Sequence, residues 1–102
     1  MNLREYQKWT RTTAVYPNNR PIEYCCIGLA DETGEVCGKV KKWMRDLQPL
    51  NEVRAEIGDV LWYLTRLADE CGFDMQEIMS DNVKKLEDRK ARNVIQGNGD
   101  HR

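Results

Sequence analysis

The stretch PIEYCCIGLADETGEVCGKVKKW, residues 21–43, decides the fold, because its apolar residues recur at the spacing of a long α-helix. They form one stripe over about six helical turns, made up of Ile22, Cys25, Cys26, Leu29, Thr33, Val36, Val40 and Trp43. Pro21 suits the first turn of such a helix, where its missing amide hydrogen is not needed. Gly28, Gly34 and Gly38 stand inside the helix, although a glycine there costs roughly 1 kcal/mol relative to alanine. The presence of three glycines therefore needs an explanation other than the stability of the helix.

A second long helix is predicted after the break DLQPLN, residues 46–51. Asn51 is the expected N-cap, and Gly72 follows the last apolar residue as a C-terminal glycine should. Between them an apolar stripe runs through Val53, Ile57, Val60, Leu61, Leu64, Leu67 and Cys71. Because the connection is short, the two long helices are expected to be antiparallel neighbours.

Two shorter helices are predicted on either side of this hairpin. The first covers residues 2–12, ahead of the turn-rich stretch YPNNRP, residues 16–21. The last begins at Asp74, which with Glu77 forms a variant of the capping box, and continues to about Ala91. The tail NVIQGNGDHR, residues 93–102, is predicted to be flexible.

The predicted fold is therefore a single all-α domain over residues 1–102, with four helices arranged around an antiparallel helical hairpin. The long helices of this hairpin carry more apolar surface than two short helices can cover. We expect the core to be completed by oligomerisation, as a dimer or tetramer of identical chains.

Composition and charge exclude several classes of protein. The net charge of −1 argues against a general nucleic-acid binder, which usually shows a basic excess. No apolar run approaches the roughly 20 residues that cross a bilayer, and MNLREYQKW at the start lacks the apolar stretch of a signal peptide. The four cysteines form no C-x-x-C pair, and His101 is the single histidine, which argues against structural zinc. Buried free thiols and a cytosolic protein are the expectation.

Paired acids lie on the same flank of both long helices. Glu32 is about 60° and Glu35 about 120° from Leu29, at about 100° per residue. Glu56 and Asp59 have the same angular relation to the buried face of the next helix. An antiparallel pair of helices keeps a given flank on one side. The four carboxylates are therefore expected to share one groove.

Converging carboxylates repel one another unless a cation stands between them. Hard divalent cations prefer oxygen ligands, and Mg²⁺ is favoured when phosphate groups complete its coordination. The alternative is that these are ordinary solvated acids, since 32% of the chain is charged. The repeated spacing on two helices favours the metal site.

Further residues point toward the same groove. Tyr63 is seven residues after Glu56, and Lys39 and Trp43 are seven and eleven residues after Glu32. A lysine suits a phosphate and an aromatic ring suits a base, although both rings could simply pack at the rim. On the last helix one flank carries Asn82, Lys85, Arg89 and Arg92, which could hold a polyphosphate or form a solvated basic face.

These residues resemble the MazG-like all-α nucleoside triphosphate pyrophosphohydrolases. The resemblance covers roughly residues 22 to 100 and includes the segments GLADETGEV, EIGDVLWYL and GNGD. Its most specific part is Glu32-x-x-Glu35, twenty intervening residues and Glu56-x-x-Asp59, which looks like the family signature E-x-x-E…E-x-x-D. Asp31 departs from the pattern, because many relatives have a second glutamate there, and a single unit is expected rather than the tandem domains of longer bacterial members.

The resemblance implies an oligomeric all-α fold and Mg²⁺-dependent hydrolysis of a (deoxy)nucleoside triphosphate to the monophosphate and pyrophosphate. It implies that Glu32, Glu35, Glu56 and Asp59 bind the metal, with Mn²⁺ as a possible substitute. It further implies that Asn82 and Lys85 contact phosphate or sugar and that an aromatic residue near Tyr63 holds the nucleotide; Lys39, Trp43 and Arg89 join them as candidates. The candidate catalytic residues are Glu35, as general base toward water, and Glu56.

On this hypothesis, Gly28, Gly34 and Gly38 either allow a neighbouring helix to approach closely or leave room for metal and substrate. Two other functions are weighed against the hydrolase. A di-iron carboxylate bundle expects Glu-x-x-His on its helices, and no histidine lies in a predicted helix here. A non-catalytic helical interaction module with an acidic divalent-cation site would keep its partner binding after Glu56 is replaced by alanine, whereas a catalyst would lose turnover.

Overall fold

The computed structural model describes all 102 residues and contains four α-helices and no β-strand. Helix α1 spans Leu3–Thr10 and continues into a 3₁₀ turn at Arg11–Thr13. The remaining helices are α2 (Pro21–Asp46), α3 (Asn51–Glu70) and α4 (Met75–Ala91). The predicted all-α class is confirmed, and each predicted helix is present within a few residues of its expected bounds.

Most helix ends follow the predicted signals. Pro21 is the first residue of α2, and Gly72 leaves α3 with a φ of 78°, a left-handed conformation that glycine adopts without strain. The Asp74 side chain caps α4 by accepting a hydrogen bond of 2.8 Å from the Gln76 amide, without the reciprocal bond expected from Glu77. An N-cap not singled out from the sequence is Asn2, which forms a complete capping box with Glu5.

The expected N-cap at Asn51 is wrong. Asn51 is already the first residue of α3, and Leu50 precedes it with helical dihedral angles (φ −65°, ψ −21°). A capping residue needs an extended backbone so that its side chain can reach the first free amides. Here the Val53 amide donates to the Leu50 carbonyl at 2.9 Å, so the turn after Pro49 runs directly into the helix.

Helices α2 and α3 form the predicted hairpin and make by far the most extensive contact in the chain. Residues 47–50 connect them, and Leu47 ends α2 in the left-handed conformation with a φ of 56°. Helices α1 and α4 pack against each other and against α3. No helix combines the length and apolar character that would let it cross a bilayer.

The core of one chain is incomplete. Only nine of 102 residues are buried, and the radius of gyration of 16.4 Å exceeds the roughly 13 Å expected for a compact domain of 100 residues. Large apolar side chains remain exposed along the hairpin and on α4, among them Trp43, Met44, Ile57, Leu61, Leu64, Ile78, Met79 and Val83. A single chain therefore covers only part of its apolar stripes.

The expected burial of the cysteine thiols is only partly correct. Cys25 is fully buried, whereas Cys26 and Cys37 are exposed and Cys71 is half-buried. The reason is that α2 has one principal neighbour, α3, so the flank of α2 that carries Cys26 and Cys37 is left uncovered within one chain. All four thiols are free.

A buried network of polar side chains joins α1 to α3. Arg66 is only 3% exposed and donates to Asp69 at 2.8 Å and to Glu70 at 2.9 Å. Asp69 also accepts hydrogen bonds from Arg11 at 2.8 Å and from Gln7 at 3.0 Å. Because every charge in this group is paired, its burial is compatible with a stable fold.

Gln7 additionally fixes the turn between α3 and α4. Its amide nitrogen donates to the Phe73 carbonyl at 2.8 Å, and its amide oxygen accepts from the Met75 amide at 2.7 Å. The side chain is 7% exposed, so these bonds are largely shielded from water. One residue of α1 thus holds the start of α4 in place.

Replacing Asp69 by asparagine is expected to lower the free energy of unfolding at pH 7 by about 3 kcal/mol, because the buried Arg66 loses a charged partner. Hydrogen bonds from Arg11, followed by those from Gln7 and Arg66, hold the pKa of Asp69 well below its usual range despite burial. The unfolded chain therefore takes up this proton first as pH falls. The stabilisation is fully present above about pH 4, and it is lost as the pH falls toward the pKa of Asp69 in the folded state. Urea unfolding of both proteins at several pH values measures the difference.

Asp88→Asn is the matched control, because Asp88 pairs with Arg92 on the surface at 2.8 Å with 63% of its side chain exposed. We expect it to change the free energy of unfolding by less than about 0.5 kcal/mol. A difference between wild type and Asp69→Asn that stays constant from pH 7 to pH 2 would contradict the assigned role of the Asp69 charge.

Candidate metal centre

Three of the four predicted metal ligands come together between α2 and α3. One carboxylate oxygen each from Glu32, Glu56 and Asp59 lies within 4.8 Å of the other two. Glu32 is in the middle of α2, and the other two lie about one turn apart on α3. The equal angular relation that the sequence showed on the two helices places these side chains in one groove.

Glu35 does not join this group. It follows Glu32 by about one turn on α2, but its side chain is exposed and its oxygens are not among the three that converge. Its negative charge nevertheless reaches the group, because it contributes to raising the pKa of Glu32. Glu35 therefore stands at the edge of the cluster, on the side open to water.

The cluster has a surplus of negative charge around Glu32. Burial is the largest cause that raises the pKa of Glu32, and the neighbouring carboxylates of Asp59, Asp31, Glu56 and Glu35 raise it further. Nearby anions disfavour ionisation of a carboxyl group, and a cation placed among them would reverse that effect. The electrostatics of the site therefore favour a bound cation.

The donor set fits a hard divalent cation. Oxygens on opposite sides of one Mg²⁺ lie about 4.2 Å apart, and those around one Ca²⁺ about 4.6–5.2 Å apart. Three oxygens within 4.8 Å of one another can share one such ion after at most a small rotation of a side chain. All three donors are carboxylates, without histidine or cysteine, so Mg²⁺, Mn²⁺ and Ca²⁺ suit the site better than softer metals.

Tyr63 lies beside the cluster and packs directly on the backbone of α2. A methyl group built on Gly28 would lie 2.6 Å from Cζ of the Tyr63 ring, well inside van der Waals contact. Burial is the largest cause that raises the pKa of Tyr63, followed by the influence of Tyr24 and the charge of Glu32. Of the two reasons expected for the glycines of α2, close approach of a neighbouring side chain applies at Gly28.

Gly34 and Gly38 differ from Gly28. A methyl group built at either position would meet no atom within 4 Å. Within one chain these glycines therefore border open space rather than a packed neighbour. Nothing within the single chain explains why these two positions require glycine.

Lys39 and Trp43 share the direction of Glu32 but lie about 10 Å and 16 Å further along the helix axis, at 1.5 Å per residue. The Lys39 ammonium is 3.5 Å from the carboxylate of Glu52, and Trp43 is 40% exposed. A shared angle around the helix axis therefore does not bring these residues to the height of Glu32. Lys39 thus pairs with a residue about one turn before Glu56 on α3, whereas Trp43 lies nearer the end of the hairpin.

Asn82, Lys85 and Arg89 lie on α4, and no hydrogen bond or ion pair joins them to the carboxylate cluster within one chain. The tail turns back over their flank instead: Lys85 donates to Asp100 Oδ1 at 3.1 Å, and Arg89 donates to the backbone carbonyl of Asp100. The Arg89 side chain is 5% exposed beneath this turn. Residues 93–102 form no helix or strand, and Asp100 is hydrogen-bonded to two residues of α4.

Of the aromatic cluster beside the carboxylates, the sequence singled out only Tyr63. The Tyr16 and Tyr24 rings stack with centroids 5.1 Å apart, and Trp62 meets the edges of Tyr16 and Tyr63 at 6.3 Å and 4.9 Å. A usable signal was the spacing of Tyr24, Gly28 and Glu32, which lie four residues apart and so share one face of α2.

The sequence of the chain is similar to those of known proteins. Residues 22–94 match the family model described as the MazG nucleotide pyrophosphohydrolase domain. The chain is also 36% identical, over 114 aligned positions, to the Gene 37 protein of Mycobacterium phage L5, and the alignment covers the whole of both chains. That name states no activity. No solved structure matches the chain at a significant level.

Addition of Mg²⁺ or Mn²⁺ is expected to stabilise the folded protein, because the ion removes repulsion among Glu32, Glu56 and Asp59. At an ion concentration of 100 times Kd the gain in free energy of unfolding is about 2.7 kcal/mol. Glu56→Ala should lose most of this gain, since one of the three converging ligands is removed. Thermal unfolding with and without the ion measures it.

Glu87→Ala serves as the control, because Glu87 is an exposed glutamate in α4 and makes no ion pair. This variant should keep the full metal-dependent stabilisation. The assignment of the cation site fails if wild type and Glu56→Ala respond equally to Mg²⁺ and Mn²⁺.

Proposed function

The chain belongs to the MazG nucleotide pyrophosphohydrolase family, and on that premise we propose that it hydrolyses (deoxy)nucleoside triphosphates to nucleoside monophosphate and pyrophosphate. The observation that carries this proposal is the convergence of Glu32, Glu56 and Asp59 between α2 and α3. A triphosphate brings several negative charges and therefore needs a cation in such a site. We propose Mg²⁺ as the cofactor, with Mn²⁺ as a substitute.

The reaction splits the anhydride between the α and β phosphates. Water adds to phosphorus, the bridging P–O bond breaks, pyrophosphate leaves, and the proton of the water passes to a base. A bound Mg²⁺ would neutralise developing charge and orient the water. We propose Glu35 as the general base and as a fourth ligand, because its carboxylate lies at the open edge of the cluster.

The substrate contacts are proposed on two surfaces. Tyr63 borders the cluster and suits the nucleoside, while Lys39 and Trp43 lie further along α2 and suit the more distant parts of the substrate. Asn82, Lys85 and Arg89 suit phosphate groups, but within one chain they do not meet the carboxylates, and Lys85 and Arg89 are paired with Asp100, which a phosphate would have to replace. We therefore propose that they act across an interface between two chains.

Such an interface is supported by the incomplete core. Apolar side chains of α2, α3 and α4 remain exposed, and few residues of the chain are buried. Burial of contiguous apolar surface is the main driving force of stable association between chains. We propose a homodimer or homotetramer in a reducing cytoplasm, where the four free cysteines would stay reduced.

A panel of nucleoside triphosphates with Mg²⁺, analysed for pyrophosphate and orthophosphate separately, tests the activity. Wild type is expected to yield pyrophosphate and monophosphate in equal amounts. Glu56→Ala should lower kcat/KM on the order of 100-fold or more, because a correctly held metal supplies several kcal/mol of charge stabilisation. Circular dichroism should show that its helices persist.

Glu87→Ala is again the matched control and should keep wild-type turnover. If the folded wild-type protein releases no pyrophosphate from any member of the panel with Mg²⁺ or Mn²⁺, the hydrolase proposal is wrong. The chain would then be better described as a helical interaction module with an acidic cation site.

Sedimentation at micromolar concentration is expected to show a dimer or tetramer. The Leu64→Glu variant should contain more monomer than wild type, because Leu64 is 41% exposed in the apolar groove between α3 and α4. Val15→Glu is the control, since Val15 is 91% exposed in the connection between α1 and α2. A monomeric wild-type protein at this concentration would refute the proposed assembly.

A further inference from the structure

We infer that Gly28 is a positioning residue: its missing side chain lets the Tyr63 ring lie flat against α2 and so fixes the aromatic surface that receives the nucleoside. This inference rests on the proposed function and adds a residue to it. The direct observation is that a methyl group on Gly28 would lie 2.5 Å from Cδ1 and 2.6 Å from Cζ of Tyr63. Carbon atoms in contact normally lie about 3.5–4.0 Å apart.

The contact lies beside the carboxylates. Gly28 is about one turn before Glu32 on the same face of α2, and Tyr63 is about one turn after Asp59 on α3. The Tyr63 ring therefore spans the groove between the two helices at the border of the cluster. Burial, the influence of Tyr24 and then the charge of Glu32 raise the pKa of Tyr63, in agreement with this placement.

The ring has little freedom to move elsewhere. The backbone of α2 lies on one side, and Trp62 meets the ring edge-on with centroids 4.9 Å apart and an interplanar angle of 86°. Trp62 is held in turn by a hydrogen bond of 2.9 Å from its indole nitrogen to Thr13 Oγ1. A methyl group at position 28 would consequently push the ring toward the open side of the groove.

Gly28→Ala should therefore act on substrate binding rather than on the metal. The three atoms nearest to the added methyl group all belong to the Tyr63 ring, and the substitution removes no carboxylate, so Mn²⁺ affinity and kcat should stay close to wild type. KM should rise about tenfold or more, since a displacement of about 1 Å in a positioning group can cost as much as 100-fold. Loss of helix structure cannot produce this pattern, because alanine favours a helix more than glycine does.

Gly38→Ala is the matched control. It makes the same substitution in the same helix, but its methyl group meets no atom within 4 Å. Both variants gain the same intrinsic helix propensity, so a difference between them reports the contact with Tyr63. KM of Gly38→Ala should equal that of wild type.

The experiment compares wild type, Gly28→Ala, Gly38→Ala, Tyr63→Leu and the double variant Gly28→Ala/Tyr63→Leu. It measures KM and kcat from pyrophosphate release, Mn²⁺ affinity by calorimetry, and affinity for an α,β-imido nucleoside triphosphate, which cannot be hydrolysed. In the Tyr63→Leu background the Gly28 substitution should have no further effect, because the ring that it displaces is gone. If Gly28→Ala alone fails to fold, the double variant should still fold, because the ring that clashes with the added methyl group is absent.

Equal KM and analogue affinity in Gly28→Ala and Gly38→Ala would overturn this inference while leaving the proposed hydrolase activity intact. An equal effect of Gly28→Ala with and without the Tyr63 ring would also overturn it. If wild type binds the analogue without releasing pyrophosphate, the hydrolase proposal fails alone, and analogue affinities still decide the role of Gly28. If wild type neither binds nor hydrolyses, both fail together.

Discussion

Helices α2 and α3 lie against each other along most of their length, and the other features of the chain are arranged around that contact. The contact brings Glu32 to Glu56 and Asp59, although these acids repel one another and Glu32 is partly removed from water. Apolar packing along the hairpin offsets this repulsion, since it acts over many residues and the repulsion over a few. Rigid helices therefore hold the carboxylates together before any cation arrives, which is the kind of preorganisation that a metal site requires.

The hairpin does not make a complete domain by itself. Helix α1 is attached mainly through polar groups: Gln7 reaches the turn before α4, and Arg66 and Asp69 join α1 to α3 from within a shielded network. Such groups are strongly directional, so they fix the position of α1 more narrowly than apolar contact would. Large apolar side chains of the hairpin and of α4 meanwhile stay exposed. Polar contacts thus fix the position of α1 within one chain, and apolar surface remains free to contact another chain.

Helical spacing was enough to predict the four helices, the hairpin and the convergence of Glu32, Glu56 and Asp59, because these depend on period and connection length alone. The errors arose where tertiary structure decides. The prediction that Asn51 caps α3 was wrong because the preceding turn is already helical. The prediction that Cys26 and Cys37 are buried was wrong because α2 has too few neighbours in one chain. The network around Arg66 joins residues up to 62 positions apart, which no local pattern encodes. The roles proposed for Glu35 and for the substrate contacts remain predictions.

The helix propensity of glycine does not distinguish the three glycines of α2 from one another. Each weakens the helix by a similar amount, so the sequence alone gives the three positions equal weight. The structure separates them by what stands opposite: Gly28 faces the Tyr63 ring, whereas Gly34 and Gly38 face open space. Gly28 sets the position of that ring, because the α2 backbone and the edge-on Trp62, itself hydrogen-bonded to Thr13, leave the ring only the open side of the groove. The ring in turn borders Glu32, so the spacing between two helix backbones at Gly28 determines where an aromatic surface lies relative to the carboxylates.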